Sequence, residues 1–205
     1  QKCRPPAPNR IRGIGGRGAP GGPQKTPARA PVVVDGGGGS VGELKLDPLP
    51  GIAADPLAAL RKAADKEPLK GNRAVQIATS GDNGDGSRMQ WSADGRNAAV
   101  MLRAVDNKDR WIASVDLDNA KLQPRHRLTD PAWINWNFND FGWLPDNRTL
   151  WFLSEESGYS HLYLNDGSRS RALTSGRWEV SSPVMSRDGS RFFFMCNRQW
   201  PGRYE

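Results

Sequence analysis

The sequence predicts an all-β fold: a partial β-propeller of about two and a half four-stranded blades, preceded by a disordered Gly/Pro/Arg-rich tail and a short helix. Three observations carry this. First, one local pattern occurs three times, at Gln90–Met101, Gly142–Leu153 and Val184–Met195: a short apolar approach, a tight turn, then an apolar strand. The turns are Asp94-Gly95, Asp146-Asn147 and Asp188-Gly189, residue types that tolerate the positive φ angles of tight hairpins. Second, the turn aspartates lie 52 and 42 residues apart, and units of about 40–50 residues holding four strands are what propeller blades require. Third, each unit continues in the same order. Arg110–Leu117 and His161–Asn165 read as third strands, followed by Arg127-Leu128-Thr129 and Ala172-Leu173-Thr174 as starts of outer strands. An immunoglobulin-like sandwich also has many short strands but does not repeat this order of turn chemistry. An incomplete ring exposes sheet edges and inter-blade faces, so the isolated chain is expected to be poorly stable.

Taken in order, residues 1–30 form a basic low-complexity tail. Gly and Pro fill 17 of positions 1–40, a composition that cannot bury enough apolar surface to offset its chain entropy. Residues 31–86 read as a hairpin, a short helix and a strand, a propeller-associated insertion. Pro31–Asp35 is a strand, Gly36–Gly39 a flexible turn, and Val41–Leu46 the returning strand. Asp55-Pro56-Leu57 opens a helix to about Lys66: Asp55 can cap, Pro56 suits the first turn, and Leu57, Leu60 and Ala64 share a face. Ala74–Thr79 is a further strand and Ser80–Ser87 a turn. Residues 87–205 hold the propeller repeat.

The formal charge of +7 raises a nucleic-acid reading, but residues 1–40 carry seven basic residues against Asp35 alone. The basic balance therefore belongs to the tail and not to a folded face. Such a tail can hold phosphates by counterion release, yet its composition is that of a solvated segment, so no nucleic-acid partner is expected. No apolar run approaches the ~18–20 residues of a membrane span. Cys3 and Cys196 are too few and too far apart for a zinc pattern. They read as two unpaired thiols, Cys196 buried in a strand, with a disulfide left open. The start, Gln1-Lys2-Cys3, has neither an initiator methionine nor an apolar signal region, and the chain reads as a fragment.

Two stretches are more specific than the repeat. Phe152–Leu164 contains Ser154-Glu155-Glu156-Ser157-Gly158 followed by His161-Leu162-Tyr163, and Leu173–Val180 contains Leu173-Thr174-Ser175-Gly176-Arg177-Trp178-Glu179-Val180. This pattern closely resembles the propeller of dipeptidyl peptidase IV, in the prolyl oligopeptidase family of serine peptidases. The resemblance reaches back through Trp143 and Pro145, more loosely to Trp91, and covers roughly residues 87–205. It implies a parent enzyme whose propeller walls a chamber, gates short peptides and supports an α/β-hydrolase domain with a Ser-His-Asp triad. The implied partners are peptide substrate, that hydrolase domain in the same chain, and an open question of a homodimer. Family habit favours a periplasmic or secreted location. The alternative is a periplasmic propeller that binds a protein partner and has no hydrolase.

No catalytic residue is expected within the chain. A Gly-x-Ser-x-Gly elbow is absent, and Ser160 and His161, adjacent on a strand, point to opposite faces. Glu155 and Glu156 are candidate substrate contacts, because paired carboxylates suit an ammonium group. The family's own glutamate pair sits in an upstream helical insertion, so a structural role for this turn competes. Asn135 and Trp136, in a loop that interrupts the repeat, are candidates to line the chamber, with Trp133 and Trp136 equally suited to packing between blades. Asp94, Asp146 and Asp188 are structural turn residues. Equivalent turns on separate blades are expected to lie far apart, which argues against a metal site, and no cofactor is expected.

Overall fold

The structure, a computed structural model, describes residues 32–34, 41–78 and 89–199. The basic tail, the 80–87 turn and Cys3 lie outside these residues. Alternation of side chains across each strand organises everything that follows.

The first blade has four positions. Its inner position is shared by β3 (Val75–Ile77) and β4 (Met89–Trp91), which pair end to end with β5 (Ala98–Ala104): Ile77 faces Leu102, and Trp91 faces Ala98. Then come β6 (Asp109–Asp116) and β7 (Lys121–Thr129), all antiparallel. The second blade is β8 (Phe141–Trp143), β9 (Leu150–Ser154), β10 (His161–Asn165) and β11 (Ser170–Ala172), ordered as in the chain. A hairpin of β12 (Val180–Met185) and β13 (Phe192–Cys196) begins a third.

The blades stack face to face, which makes the fold a partial β-propeller. On β5, Ala98, Val100, Leu102 and Ala104 point one way, while Ala99 and Met101 point the other. Ala99, Met101 and Ile112 meet Phe141, Trp143, Leu150, Phe152 and Tyr163 of the second blade. Residues of the second blade's opposite face, Leu153 and Leu162, meet Val180, with Phe192 and Phe194 packed alongside. The rings interlock there: Trp151 and Phe192 sit edge-on at 5.5 Å, and Trp178 stacks near Phe194 at 6.5 Å. Burying both faces of the first and second blades is what turns a set of hairpins into stacked layers with a hydrophobic cluster at each seam.

The first blade's other face is covered by residues 44–52. Leu44, Leu49 and Ile52 are buried against Val75, Val100, Leu102 and Trp111, and the Trp111 indole N–H donates to the Pro50 carbonyl at 3.0 Å. Immediately before this segment, β1 (Val32–Val34) and β2 (Val41–Glu43) pair antiparallel, as the sequence predicts.

Four expectations change. The helix α1 is only Ala58–Ala63, with Leu57 at its N-cap position, and none of its residues is buried. Asp55 is not its cap; it accepts from the Leu57 N–H at 3.0 Å and pairs with Arg61 at 2.9 Å. With Leu60 68% exposed, the apolar stripe has no partner surface, and without burial a short helix does not extend. The outer strands begin earlier than predicted. Arg127–Thr129 closes β7, and β11 ends at Ala172 before Leu173. Their early residues are polar and, in β7, interrupted by Pro124 at a register shift, as outer edge strands allow. Cys196 is exposed, not buried: it shares the side of β13 that carries Phe192 and Phe194, but it is the last residue of an edge strand, past the point where those rings meet the second blade. The fourth change concerns the turn aspartates.

Asp94, Asp146 and Asp188 are not far apart in their surroundings. The Asp94 N–H donates to Asn147 Oδ1 at 3.3 Å, and Asn97 Nδ2 donates to the Asn147 carbonyl at 3.2 Å. Gly189 packs so closely on Pro145 that an added Cβ would lie 2.1 Å from its Cγ. Stacked blades bring equivalent turns side by side, so the three turns form a contiguous row. Each aspartate faces its own turn: Asp94 accepts from Ser92 Oγ at 2.6 Å, Asp146 from Thr149 Oγ1 at 2.6 Å, and Asp188 from Ser186 Oγ at 2.6 Å. Among the described residues no group of metal-ligating side chains converges.

Candidate functional site

Because neighbouring strands run antiparallel, the connections emerge alternately at two ends of the blades. The aspartate turns leave at one end. At the other end lie the 105–108 turn, the 130–140 connection between blades, and the 155–160 turn. The second end gathers Asn135, Trp136, Glu155 and Glu156.

The 130–140 connection is pinned rather than loose. Asp130 Oδ1 accepts from the N–H groups of Ala132 and Trp133 at 2.6 and 2.9 Å. Lys108 Nζ donates to the Pro131 carbonyl at 2.7 Å, and the Ile134 N–H donates to the Asn107 carbonyl at 2.9 Å. Ile134 is buried beneath it. Trp136 is held twice: its indole N–H donates to Asn107 Oδ1 at 2.6 Å, and the Arg103 guanidinium lies over its ring at 5.2 Å. One face of that indole is thus already covered, while Trp133 on the same loop remains 69% exposed.

Beneath the loop is a buried polar network. Arg110, at the start of β6, donates to Asn139 Oδ1 and, through both terminal nitrogens, to the Leu153 carbonyl at 3.2 Å. Its Nη2 also approaches His126 Nδ1 at 3.4 Å. A guanidinium can only donate, so Nδ1 accepts and the imidazole proton resides on Nε2. That N–H donates to Glu156 Oε2 at 2.6 Å. Burial, reinforced by the Arg110 charge, lowers the His126 pKa and keeps the ring neutral, although Glu156 opposes the shift. The hydrogen bond from His126 in turn holds Glu156 below the ordinary carboxylate range.

Glu155 has a different environment from its neighbour. Its Oε1 accepts only a long 3.4 Å bond from Asn135 Nδ2, and it forms no ion pair among the described residues. Burial raises its pKa, with the nearby Glu179 charge acting in the same direction and the Asn135 bond against it. The two glutamates therefore divide. Glu156 is held by His126 and Ser154, whereas Glu155 is a half-buried carboxylate with no ion pair among the described residues, the Arg110 charge acting on it only weakly against its burial.

Residues 69–204 match the family described as the dipeptidyl peptidase IV (DPP IV) N-terminal region. The chain belongs to this family. The DPP IV N-terminal region here is also 31% identical over 111 residues to the "Uncharacterized peptidase YuxL" of Bacillus subtilis (strain 168), a match covering 49% of this chain. The chain spans only 15% of that relative's length. Among solved structures it resembles Porphyromonas gingivalis dipeptidyl peptidase 4, with TM-score 0.42 and 19% identity over 62% of this chain and 18% of that one. It resembles TolB from Acinetobacter baumannii with TM-score 0.42 and 19% identity, over 52% of this chain and 25% of that one.

Within this DPP IV N-terminal region, the sequence alone does not mark Arg110, His126 or Asn139 as site residues. The available signal was the Asp109-Arg110 pair opening an otherwise apolar strand. Charged residues at such a position need buried partners. Asp109 supplies the other half, binding Arg73 and Arg127 at 2.6 Å each. His161, by contrast, is used within its blade. Its Nε2–H donates to the Gly176 carbonyl at 2.9 Å, and Thr174 Oγ1 lies 3.1 Å from its Nδ1. Ser160 Oγ donates away from it, to the Val180 carbonyl at 2.8 Å.

Proposed function

We propose that this chain is the non-catalytic propeller segment of a serine peptidase of the dipeptidyl peptidase IV type. It gates the access of short peptides and supports an α/β-hydrolase domain that carries the triad. Residues 31–86 act as a propeller-associated segment, not an independent domain. The observation that supports a peptide-facing role most directly is the Asn135–Glu155 pair. In it a half-buried carboxylate that forms no ion pair among the described residues lies beside a pinned loop, at the end of the blades where the inter-blade connections gather.

In this reading Glu155 accepts the ammonium group of a peptide substrate, and Asn135 holds its carboxylate in place. A cation brought to a partly desolvated carboxylate forms a stronger bond than it would in water. Glu156 does not touch substrate; through His126 it sets the position of the turn. Trp136 fixes the loop, and Trp133 offers an apolar surface to the peptide chain. Proteolysis itself belongs to the hydrolase domain.

The test uses the parent enzyme. Glu155→Gln is expected to raise KM for peptides with a free amino group by roughly tenfold, with kcat preserved, since one charge-assisted hydrogen bond contributes about 1.5–3 kcal/mol. The same peptides with an acetylated amino group serve as the control and should respond little. Equal responses of free and blocked peptides would remove Glu155 from amine recognition. The encoding reading frame is a second check: it should contain a Gly-x-Ser-x-Gly elbow followed by Asp and then His, and a complete frame without one would overturn the peptidase reading.

A further inference from the structure

The opposite end of the blades carries a cleft of about 480 Å³ between the first and second blades. Both of its walls are blades with all four strand positions filled. Arg96, Arg125 and Arg148 line it together with Asp116, Asp118 and Trp143. Arg125 forms the half-buried floor. Its guanidinium lies over the Trp143 ring at 5.8 Å, and its Nε and Nη2 donate to Asn165 Oδ1 and the Arg148 carbonyl, both at 2.8 Å. Its Nη1 reaches only Ser114 Oγ, at 3.5 Å, and so retains donor capacity toward the cleft.

The charge arrangement decides what this cleft suits. Among the described residues none of the three guanidiniums has a carboxylate within ion-pair distance. The carboxylates nearby are engaged by their own turns. Both oxygens of Asp116 accept from Asn119, at 3.1 and 2.9 Å. Asp94 and Asp146 accept from the N–H groups of Arg96 and Arg148 at 3.0 and 2.9 Å, and Asp166 from Ser168 and Arg169 at 2.8 and 3.1 Å. Among the described residues, that leaves the exposed Asp118 as the one uncommitted carboxylate lining the cleft with the three arginines. Burial, with Arg148 adding repulsion, lowers the Arg125 pKa, while Asp166 and Asp146 act in the opposite direction. A bound anion would relieve that repulsion and occupy donors that the protein leaves open.

We infer that this inter-blade cleft binds a small oxyanion, a phosphate or a carboxylate, through Arg96, Arg125 and Arg148. The site is independent of peptide gating and lies at the other end of the blades from Glu155. It also differs from the phosphate-binding role considered for the basic tail, because its donors come from folded turns and a strand.

Calorimetric titration of the full chain with inorganic phosphate and, separately, with succinate tests the site at low salt. One-to-one saturable heat from either anion is expected, and which of them binds decides between a tetrahedral oxyanion and a carboxylate. The double variant Arg96→Ala/Arg148→Ala should weaken binding roughly tenfold or more, and a variant lacking residues 1–30 should bind as the full chain does. Arg96 and Arg148 are exposed turn residues, so an unchanged circular dichroism melt establishes that the double variant is folded. A second variant, Arg125→Lys, keeps the charge but loses the planar fork, and should also weaken binding. No saturable heat from either anion, or equal affinity in the double variant, would overturn the site. Loss of binding on removing residues 1–30 would reassign it to the tail.

Discussion

His126 on the last strand of the first blade donates its Nε2–H to Glu156 of the second blade at 2.6 Å. This bond crosses the seam between blades, joining residues 30 positions apart in the chain. With Phe152 against the ring at 4.4 Å and Arg110 on its other nitrogen, the imidazole is held on three sides.

Replacing His126 with Ala is expected to cost about 2–4 kcal/mol, from the cavity and the lost bonds to Arg110 and Glu156. Urea denaturation of the full chain measures it. Glu156→Gln keeps most of the volume and should cost less, about 1–2 kcal/mol.

Acid should destabilise the seam. A neutral buried histidine with a lowered pKa binds its proton less readily folded than unfolded. Stability is therefore full above histidine's usual 6.5 and declines as pH falls below it. Glu156, also lowered, adds its own loss as pH falls below 4.5. The groups facing His126 are Arg110, Glu156 and the uncharged Phe152. In His126→Gln the decline beginning near 6.5 should disappear while the carboxylate limb remains, as read from urea midpoints across pH.

Glu155 has the opposite sign. Its raised pKa means that the ionised form is disfavoured in the folded state, a cost present at neutral pH and absent once pH falls below the usual 4.5. Glu155→Gln should raise the thermal midpoint by roughly 1–2 °C at pH 7. The gain should vanish in acid. A residue whose removal stabilises the fold while weakening substrate affinity is placed for binding rather than for folding.

Two glycine substitutions separate backbone strain from packing between turns. Gly95 and Gly189 have nearly the same φ, +70° and +69°, but an added Cβ meets nothing within 4 Å at Gly95 and meets Pro145 at Gly189. Gly95→Ala should cost about 1 kcal/mol. Gly189→Ala should cost about 1–3 kcal/mol more, and combining it with Pro145→Ala should recover most of that excess. Thermal unfolding of the three variants makes the comparison.

Much of the fold was readable because it is written locally. Asp-Gly and Asp-Asn turns state where a hairpin bends, and the unbroken apolar run Ala98–Leu102 states that both faces of a strand are buried. The periodicity overstates the helix because it carries no information about whether a surface exists to receive Leu60. The starts of the outer strands are hidden because edge positions tolerate polar residues and a proline, as in Lys121–Arg127, which mimic a turn.

For the site, sequence determined which residue types sit on the inter-strand turn and on the loop that interrupts the repeat. It therefore placed Asn135, Trp136, Glu155 and Glu156 among the candidates. Only the tertiary structure decided between the two glutamates. They are adjacent in the chain and chemically alike, and their difference comes from His126 and Arg110, which belong to another blade. Stacking likewise decided that the aspartate turns touch, since the spacing of a repeat gives the length of each unit but not the distance between neighbouring units. Contacts within a hairpin are set by neighbouring residues; contacts across a seam exist only after two blades have buried their shared face.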